Sequence, residues 1–167
     1  MRHAISELFR TLSPRMLVLL ASAGSAAVLL GALGFQAMGV APCDLCIQQR
    51  WPHLAAAILG ALIVIFRLPM GLALLGAASV AVTGALAVYH SGVERGLFEG
   101  PDSCTSGGLS TLSTDDLLAQ ISAAPLVRCD EIAWQMFGVT MPNLNALASA
   151  ALLVLWLAAF LTARRSA

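Results

Sequence analysis

Long apolar runs dominate the chain, and charged residues mark where each one stops. A bilayer core about 30 Å thick takes about 20 helical residues at about 1.5 Å rise. In hydrocarbon every backbone polar group must pair within its own segment, so a run of that length reads as a helix. The first run follows Arg15, from Met16 to Met38. The second lies between Arg50 and Arg67; Trp51 to Phe66 alone is short, so the expected span starts near Ile47 and both arginines snorkel toward headgroups. The third runs from about Pro69 to Tyr89 and the fourth from about Asn143 to Thr162. Pro69 and Pro142 suit helix starts, where the missing N–H has no partner to lose. The pattern predicts an all-α membrane protein. It forms a single membrane domain over residues 1–167, a four-transmembrane-helix bundle with spans near 16–38, 47–66, 69–89 and 143–162.

A cleaved signal peptide is the competing reading of the first run. Arg2, Arg10 and Arg15 form a basic flank, and Ala21-Ser22-Ala23 resembles a cleavage site. Met16 to Leu20 is too short an apolar core for that, and the run continues past Ala23, so the segment reads as a retained span.

Arginine placement sets the orientation. Four spans put both termini on one side, with Arg2, Arg10, Arg15, Arg67, Arg164 and Arg165; the other side holds Arg50, Arg95 and Arg128. The richer side is expected to be cytoplasmic. Two outward loops follow, a short one near 39–50 and a long one near 91–141. The long loop is rich in Gly, Ser and Thr from Gly100 to Ser113, which predicts irregular chain. Thr114-Asp115-Asp116 then reads as a helix cap and acidic first turn, with Leu117, Leu118 and Ile121 on one face. A second short amphipathic piece carries Ile132, Ala133, Met136 and Phe137, with Trp134 nearby. Either piece buries against the loop or lies in the membrane interface.

Composition agrees with lipid as the solvent. The chain is 59% hydrophobic and 11% charged, with a mean hydropathy of +0.85. Soluble domains run about 45–50% apolar and about 25% charged. This rules out a disordered chain and argues strongly against a cytosolic globule. Nine Arg against nine acids leave no net charge, which argues against nucleic acid as a partner.

The candidate chemistry is sulfur. Cys43, Cys46, Cys104 and Cys129 all fall on the outward side. The extracytoplasmic side of a membrane is oxidising, which favours pairing. Cys43-Asp44-Leu45-Cys46 is a C-x-x-C, a spacing typical of redox-active pairs. Cys46 sits at or just before the start of the second helix, where the dipole favours a thiolate, and Arg50 follows one turn on. Asp44 opposes this, and is outweighed if it faces water. Two other readings stand beside the redox one: a structural clip, and a metal site built from all four cysteines. For the latter the spacing (C-x2-C, 57 residues, C-x24-C) is far looser than in zinc knuckles. Cys104 and Cys129 close a loop that reads by default as a structural disulfide. Pro101, Gly107 and Gly108 place Cys104 in flexible, exposed chain. If the loop brings the two pairs together, exchange can pass electrons between them.

Exchange conserves oxidising equivalents, so an electron sink is needed. The sequence has no C-x-x-C-H, no dinucleotide glycine fingerprint and no Fe–S cysteine run. A thiol pair at the mouth of a bundle in lipid fits a lipid-soluble two-electron carrier, a membrane quinone. Arg50 and His90, which ends the third run on the same face, are candidates to bind its oxygens. The alternative for His90 is an interfacial polar tip beside Tyr89.

These residues resemble the DsbB family of bacterial inner-membrane thiol oxidoreductases. The resemblance rests on Pro42-Cys43-Asp44-Leu45-Cys46 with Gln49-Arg50, on Tyr89-His90, on Gly100-Pro101-Asp102-Ser103-Cys104, and on Cys129-Asp130 followed by Trp134 and Met141-Pro142-Asn143. It implies that a reduced DsbA-type periplasmic thioredoxin-fold protein attacks the Cys104–Cys129 disulfide, with Cys104 forming the mixed disulfide. Electrons then pass to Cys43–Cys46, and Cys46 reacts with ubiquinone or menaquinone, assisted by Arg50 and His90. The resemblance thus implies a place in the DsbA–DsbB–quinone relay that keeps the periplasm oxidising. Asp44 departs from the apolar residue usual at that position. The competing function is a structural or metal-handling membrane protein with static disulfides or a four-cysteine metal site.

Overall fold

Ser13 opens the first helix: its hydroxyl accepts from the Met16 amide at 3.3 Å, and Pro14 brings a φ already set for the first turn. The computed structural model describes residues 12–101, 104 and 127–165. Helix α1 runs Pro14–Ala37, α2 Asp44–Ile65, α3 Ala73–Glu94 and α4 Met141–Arg165. A single 3-10 turn, Met70–Leu72, leads into α3. The helix predicted from Thr114 lies outside the described residues, as do Arg2, Arg10, Asp102, Ser103, Gly107 and Gly108.

Three helices stop in the same way. The second residue past the C-cap donates back to a carbonyl in the last turn, while a left-handed residue makes the bend. Val40 donates to Phe35 O (3.1 Å) around Gly39, Leu68 to Ile63 O (3.2 Å) around Arg67, and Leu97 to Gly92 O (2.8 Å) around Gly96. These stops keep the α1–α2 and α2–α3 connections short. Consecutive helices therefore pack antiparallel, α1 on α2, α2 on α3, α3 on α4 and α4 back on α1, closing a ring.

Inside the ring sit Leu17, Val18, Ala21, Ala56, Ile63, Ala73, Ala77, Val80, Leu152, Trp156 and Ala159. Trp156 is fully buried and decides how closely the helices approach. A Cβ on Gly76 would lie 2.6 Å from its indole ring, and one on Gly60 would lie 2.3 Å from Ser22 Cβ and 3.2 Å from the ring. Only glycine fits at either place. The outer surface is apolar: Leu30, Ile65 and Leu147 are each more than 60% exposed. Pro14–Ala37, Met70–Glu94 and Met141–Arg165 are long and apolar enough to cross a membrane. The fourth helix, α2, carries Gln48, Gln49, Arg50 and His53 in its first half.

Several expected boundaries shift. Helix α2 starts at Asp44 instead of Ile47, because the Cys43 sulfur takes the capping role and accepts from the Cys46 amide at 3.3 Å. Cys46 therefore lies in the first turn. Helix α3 continues past Tyr89 to Glu94, because Ser91, Gly92 and Val93 are buried there. An apolar-run criterion stops at His90; the helix continues because its polar end is covered by protein. His90 is thus an interior residue of α3 and not an interfacial tip. The short amphipathic piece at Ile132–Phe137 is no helix. Gln135–Met136 (β1) and Val139–Thr140 (β2) form an antiparallel hairpin, turned at Phe137 and Gly138 with φ of 51° and 77°. Two successive positive φ values are the two-residue hairpin geometry whose twist suits paired strands.

Candidate functional site: a sulfur cluster at the mouth of the bundle

Three contacts fix which helix ends meet. Arg50 of α2 donates to Gln36 Oε1 of α1 (2.7 Å), Cys43 Sγ lies 3.6 Å from His90 Nε2 of α3, and Asn145 Nδ2 of α4 donates to Gln49 Oε1 (2.7 Å). The C-terminal ends of α1 and α3 and the N-terminal ends of α2 and α4 therefore share one end of the bundle. All four cysteines are at that end.

Cys104 and Cys129 are joined as a disulfide, while Cys43 and Cys46 are free thiols with sulfurs 2.8 Å apart. The sulfurs of Cys43, Cys104 and Cys129 all lie within 4.8 Å of one another. They pack with Leu45, Val93, Tyr89 and Val127 in an apolar cluster separate from the Trp156 core. Cys104 is fully buried, against its expected exposure. The reason is local: its amide donates to Pro101 O (2.8 Å) and its carbonyl accepts from the Cys129 amide (3.0 Å), which folds the segment down onto Val93 and Cys43.

The loop that brings Cys129 in is anchored on both sides. Arg128 grips Asp130 through Nε (3.0 Å) and Nη2 (2.5 Å), which holds the Asp130 carboxyl below the usual carboxylate range. Farther on, Arg95 at the end of α3 donates to Ser91 Oγ and to Asn143 Oδ1 (2.9 Å), and Asn143 also accepts from the Thr140 amide (3.1 Å). The hairpin is thereby tied to the tops of α3 and α4. Trp134 packs edge-on against Phe35 of α1, ring centroids 5.3 Å apart.

Within the C-x-x-C the two thiols are unequal. Cys43 donates its S–H to Cys46, and that hydrogen bond, with burial, pushes the Cys43 thiol above its ordinary range. The proton of the pair therefore stays on Cys43. Cys46, in the first turn of α2 with Arg50 one turn on, is the sulfur that takes negative charge.

Below Cys46 opens a cavity of about 310 Å³ between α1, α2 and α4. Val28, Leu29, Ala32, Phe35, Leu144 and Ala148 give it apolar walls; Cys46, Gln49, Arg50, His53, His90 and Asn145 supply polar groups. That volume is in the lower range of small-molecule sites. Arg50 Nε is buried without a partner among the described residues, a charged donor free to meet an acceptor in the cavity. A ring with carbonyl oxygens and an apolar tail fits this set of groups.

Sequence reasoning missed the polar network under the sulfurs. Gln49, His53, Thr83 and Ser149 are all buried, in helices whose outer faces are apolar. Gln49 Nε2 donates to Leu45 O (3.0 Å) and to His90 Nδ1 (2.9 Å). A carbonyl only accepts, so this orients the Gln49 amide. His90 Nδ1 is then the acceptor, and the His90 proton lies on Nε2, toward Cys43. The legible signal was Gln49 and His53 four residues apart in a run meant for hydrocarbon, where buried polar groups are rare and functional.

Residues 14–159 match the family model described as Disulfide bond formation protein DsbB. An uncharacterized protein of Rickettsia prowazekii (strain Madrid E), RP370, is 28% identical over 116 residues, spanning 68% of this chain and 67% of that one. No solved structure matches.

Proposed function

Because the chain belongs to the DsbB family, and is thus a membrane oxidoreductase of disulfide bond formation, we propose that it reoxidises a DsbA-type dithiol and delivers the electron pair through its two cysteine pairs to a quinone in the Cys46 cavity. The observation that carries this reading is the approach of Cys43 to both sulfurs of the other pair, within 4.8 Å.

The exchange balances as two nucleophilic substitutions in each direction. A partner thiolate attacks Cys104; the Cys104–Cys129 bond breaks and Cys129 leaves as thiolate. The partner's second thiol then displaces Cys104 and closes the partner disulfide. Cys129 attacks Cys43 of an oxidised Cys43–Cys46 pair, and Cys46 leaves as thiolate beside the α2 N-terminus and Arg50. Cys104 attacks Cys129 and expels Cys43, which takes a proton. The result is a closed Cys104–Cys129 bond above two free thiols, the arrangement described above. Through these steps His90 Nε2–H points at the Cys43 sulfur and offsets charge as it leaves.

The Cys43–Cys46 pair closes again by releasing two electrons and two protons, which is what a quinone, ubiquinone or menaquinone, takes up when bound. Arg50 and His90 are its proposed polar contacts. Helix α2 counts here as a fourth span. Arg15, Arg67, Arg164 and Arg165 occupy the end of the bundle opposite the sulfurs, which supports cytoplasmic termini and cysteines facing the periplasm of a bacterial inner membrane.

The test is turnover: purified protein with a reduced DsbA-type partner should reduce a soluble quinone analogue. Cys46→Ser should abolish this, and unchanged activity would refute the assignment. Cys104→Ser should block partner oxidation while leaving the Cys43–Cys46 pair able to reduce quinone. The alternative of a four-cysteine metal site requires stoichiometric zinc and thiols that stay protected during turnover.

A further inference from the structure

The hydrogen bonds beneath the sulfurs fix one more atom. Thr83 gives its hydroxyl proton to the Gln49 carbonyl (2.9 Å), so its oxygen accepts from Asn145 Nδ2 (3.2 Å). The other Nδ2 proton goes to Gln49 Oε1 (2.7 Å), whose amide is already oriented by Leu45. Both Asn145 protons are thus used, and Oδ1 is its accepting end. Oδ1 takes Ser149 Oγ–H (3.3 Å) and faces His53 Nε2 (2.8 Å). His53 therefore carries its proton on Nε2, and as neutral imidazole it has a bare lone pair on Nδ1.

That lone pair has no partner among the described residues, although His53 is only 1% exposed and lines the cavity. An unmatched buried acceptor is costly and rare in native structures. It repels a carbonyl oxygen, which offers only lone pairs, and accepts a hydroxyl.

We propose that His53 Nδ1 is the acceptor for a hydroxyl of the cavity's ligand, so that the cavity binds the hydroxyl-bearing, reduced form of its two-electron carrier in preference to the carbonyl form. The inference rests on the quinone reading of the cavity. The preference draws the bound carrier toward reduction by the same factor by which the two affinities differ. Arg50 Nε, a donor, suits the oxidised form; His53 Nδ1 suits the product. No bond changes at His53, and the electrons and protons are those released by Cys43 and Cys46.

The experiment uses a redox-inert pair: para-heptyloxyphenol, and its O-methyl ether, which lacks the donor. Each is titrated calorimetrically into the full-length protein in detergent, with micelle partition subtracted. The phenol should bind roughly 5- to 10-fold tighter, the effect of one net hydrogen bond. His53→Gln keeps a group facing Asn145 and loses the Nδ1 acceptor, so it should bind both probes equally. His53→Asn returns an amide oxygen near the Nδ1 position and should restore part of the preference. Equal binding by the unaltered protein overturns the proposal with no variant needed, and so does a preference that survives His53→Gln. If both probes slow reduction of a short-chain ubiquinone yet bind equally, the His53 inference falls and the quinone reading stands. If neither binds nor slows it, both fall.

Discussion

Replacing Gln49 by Leu tests whether the buried amide, and not His90 alone, sets the chemistry at Cys43. The substitution removes two interhelical hydrogen bonds, to His90 Nδ1 (2.9 Å) and from Asn145 (2.7 Å), and one within α2, to Leu45 O (3.0 Å). In membrane bundles such bonds average about 0.6 kcal/mol, with a maximum near 1.7. The two interhelical losses therefore amount to about 1–3 kcal/mol of stability. The kinetic effect is separate. Without Gln49, Nδ1 loses the donor that keeps the His90 proton on Nε2, 3.6 Å from Cys43, and the other tautomer becomes accessible. A hydrogen bond to a charged group contributes about 1.5–3 kcal/mol, so its complete loss would slow exchange between the pairs by roughly 10- to 150-fold. The assay is rapid-quench thiol trapping after reduction of Cys104–Cys129, following the appearance of free Cys46. Gln49→Leu, His90→Phe and the double variant form a cycle. The double variant should be no slower than His90→Phe. If the two effects simply add, Gln49 does not act through His90 and the tautomer argument is wrong.

Three further outcomes are expected. Arg50→Ala removes the cavity's charged donor and should weaken the apparent quinone affinity by roughly 10- to 150-fold in steady-state turnover; an unchanged affinity would take Arg50 out of the site. With the pair reduced, limited alkylation near neutral pH should label Cys46 first, since the hydrogen bond to Cys46 and burial hold the Cys43 proton until far more alkaline pH. Equal labelling by mass spectrometry would contradict that asymmetry. Gly76→Ala would set a Cβ 2.6 Å from the buried Trp156 ring and should cost about 1–3 kcal/mol in detergent unfolding; a neutral result would mean the ring moves aside.

Much of the fold was legible because lipid imposes a simple rule on long apolar runs. The starts of α1 and α4 lie within two residues of Met16 and Asn143. The errors occur where that rule stops applying. At Ser91–Glu94 and at Asp44–Cys46, helix is stabilised by protein contacts and by a sulfur cap, neither of which leaves an apolar signature. The hairpin at 135–140 hides for another reason. Its strands are two residues each, and its turn uses Phe137 in a conformation usually left to Gly or Asn. At the site, a C-x-x-C near a helix start and an arginine one turn on could be read locally. The meeting of Cys43 with Cys129, and of His53 with Asn145, joins residues far apart in the chain, and only the packed helices reveal it.

Complete enclosure of Cys104 and Cys129 carries a kinetic corollary. On the proposed relay, a thiol donor meeting this resting surface finds no sulfur to strike, so the first bond exchange waits on Cys104 becoming exposed. Initial velocity should then level off as donor concentration rises, at a plateau set by how often that exposure occurs. Small bystander thiols, with no binding energy to draw the sulfur out, are left outside the circuit.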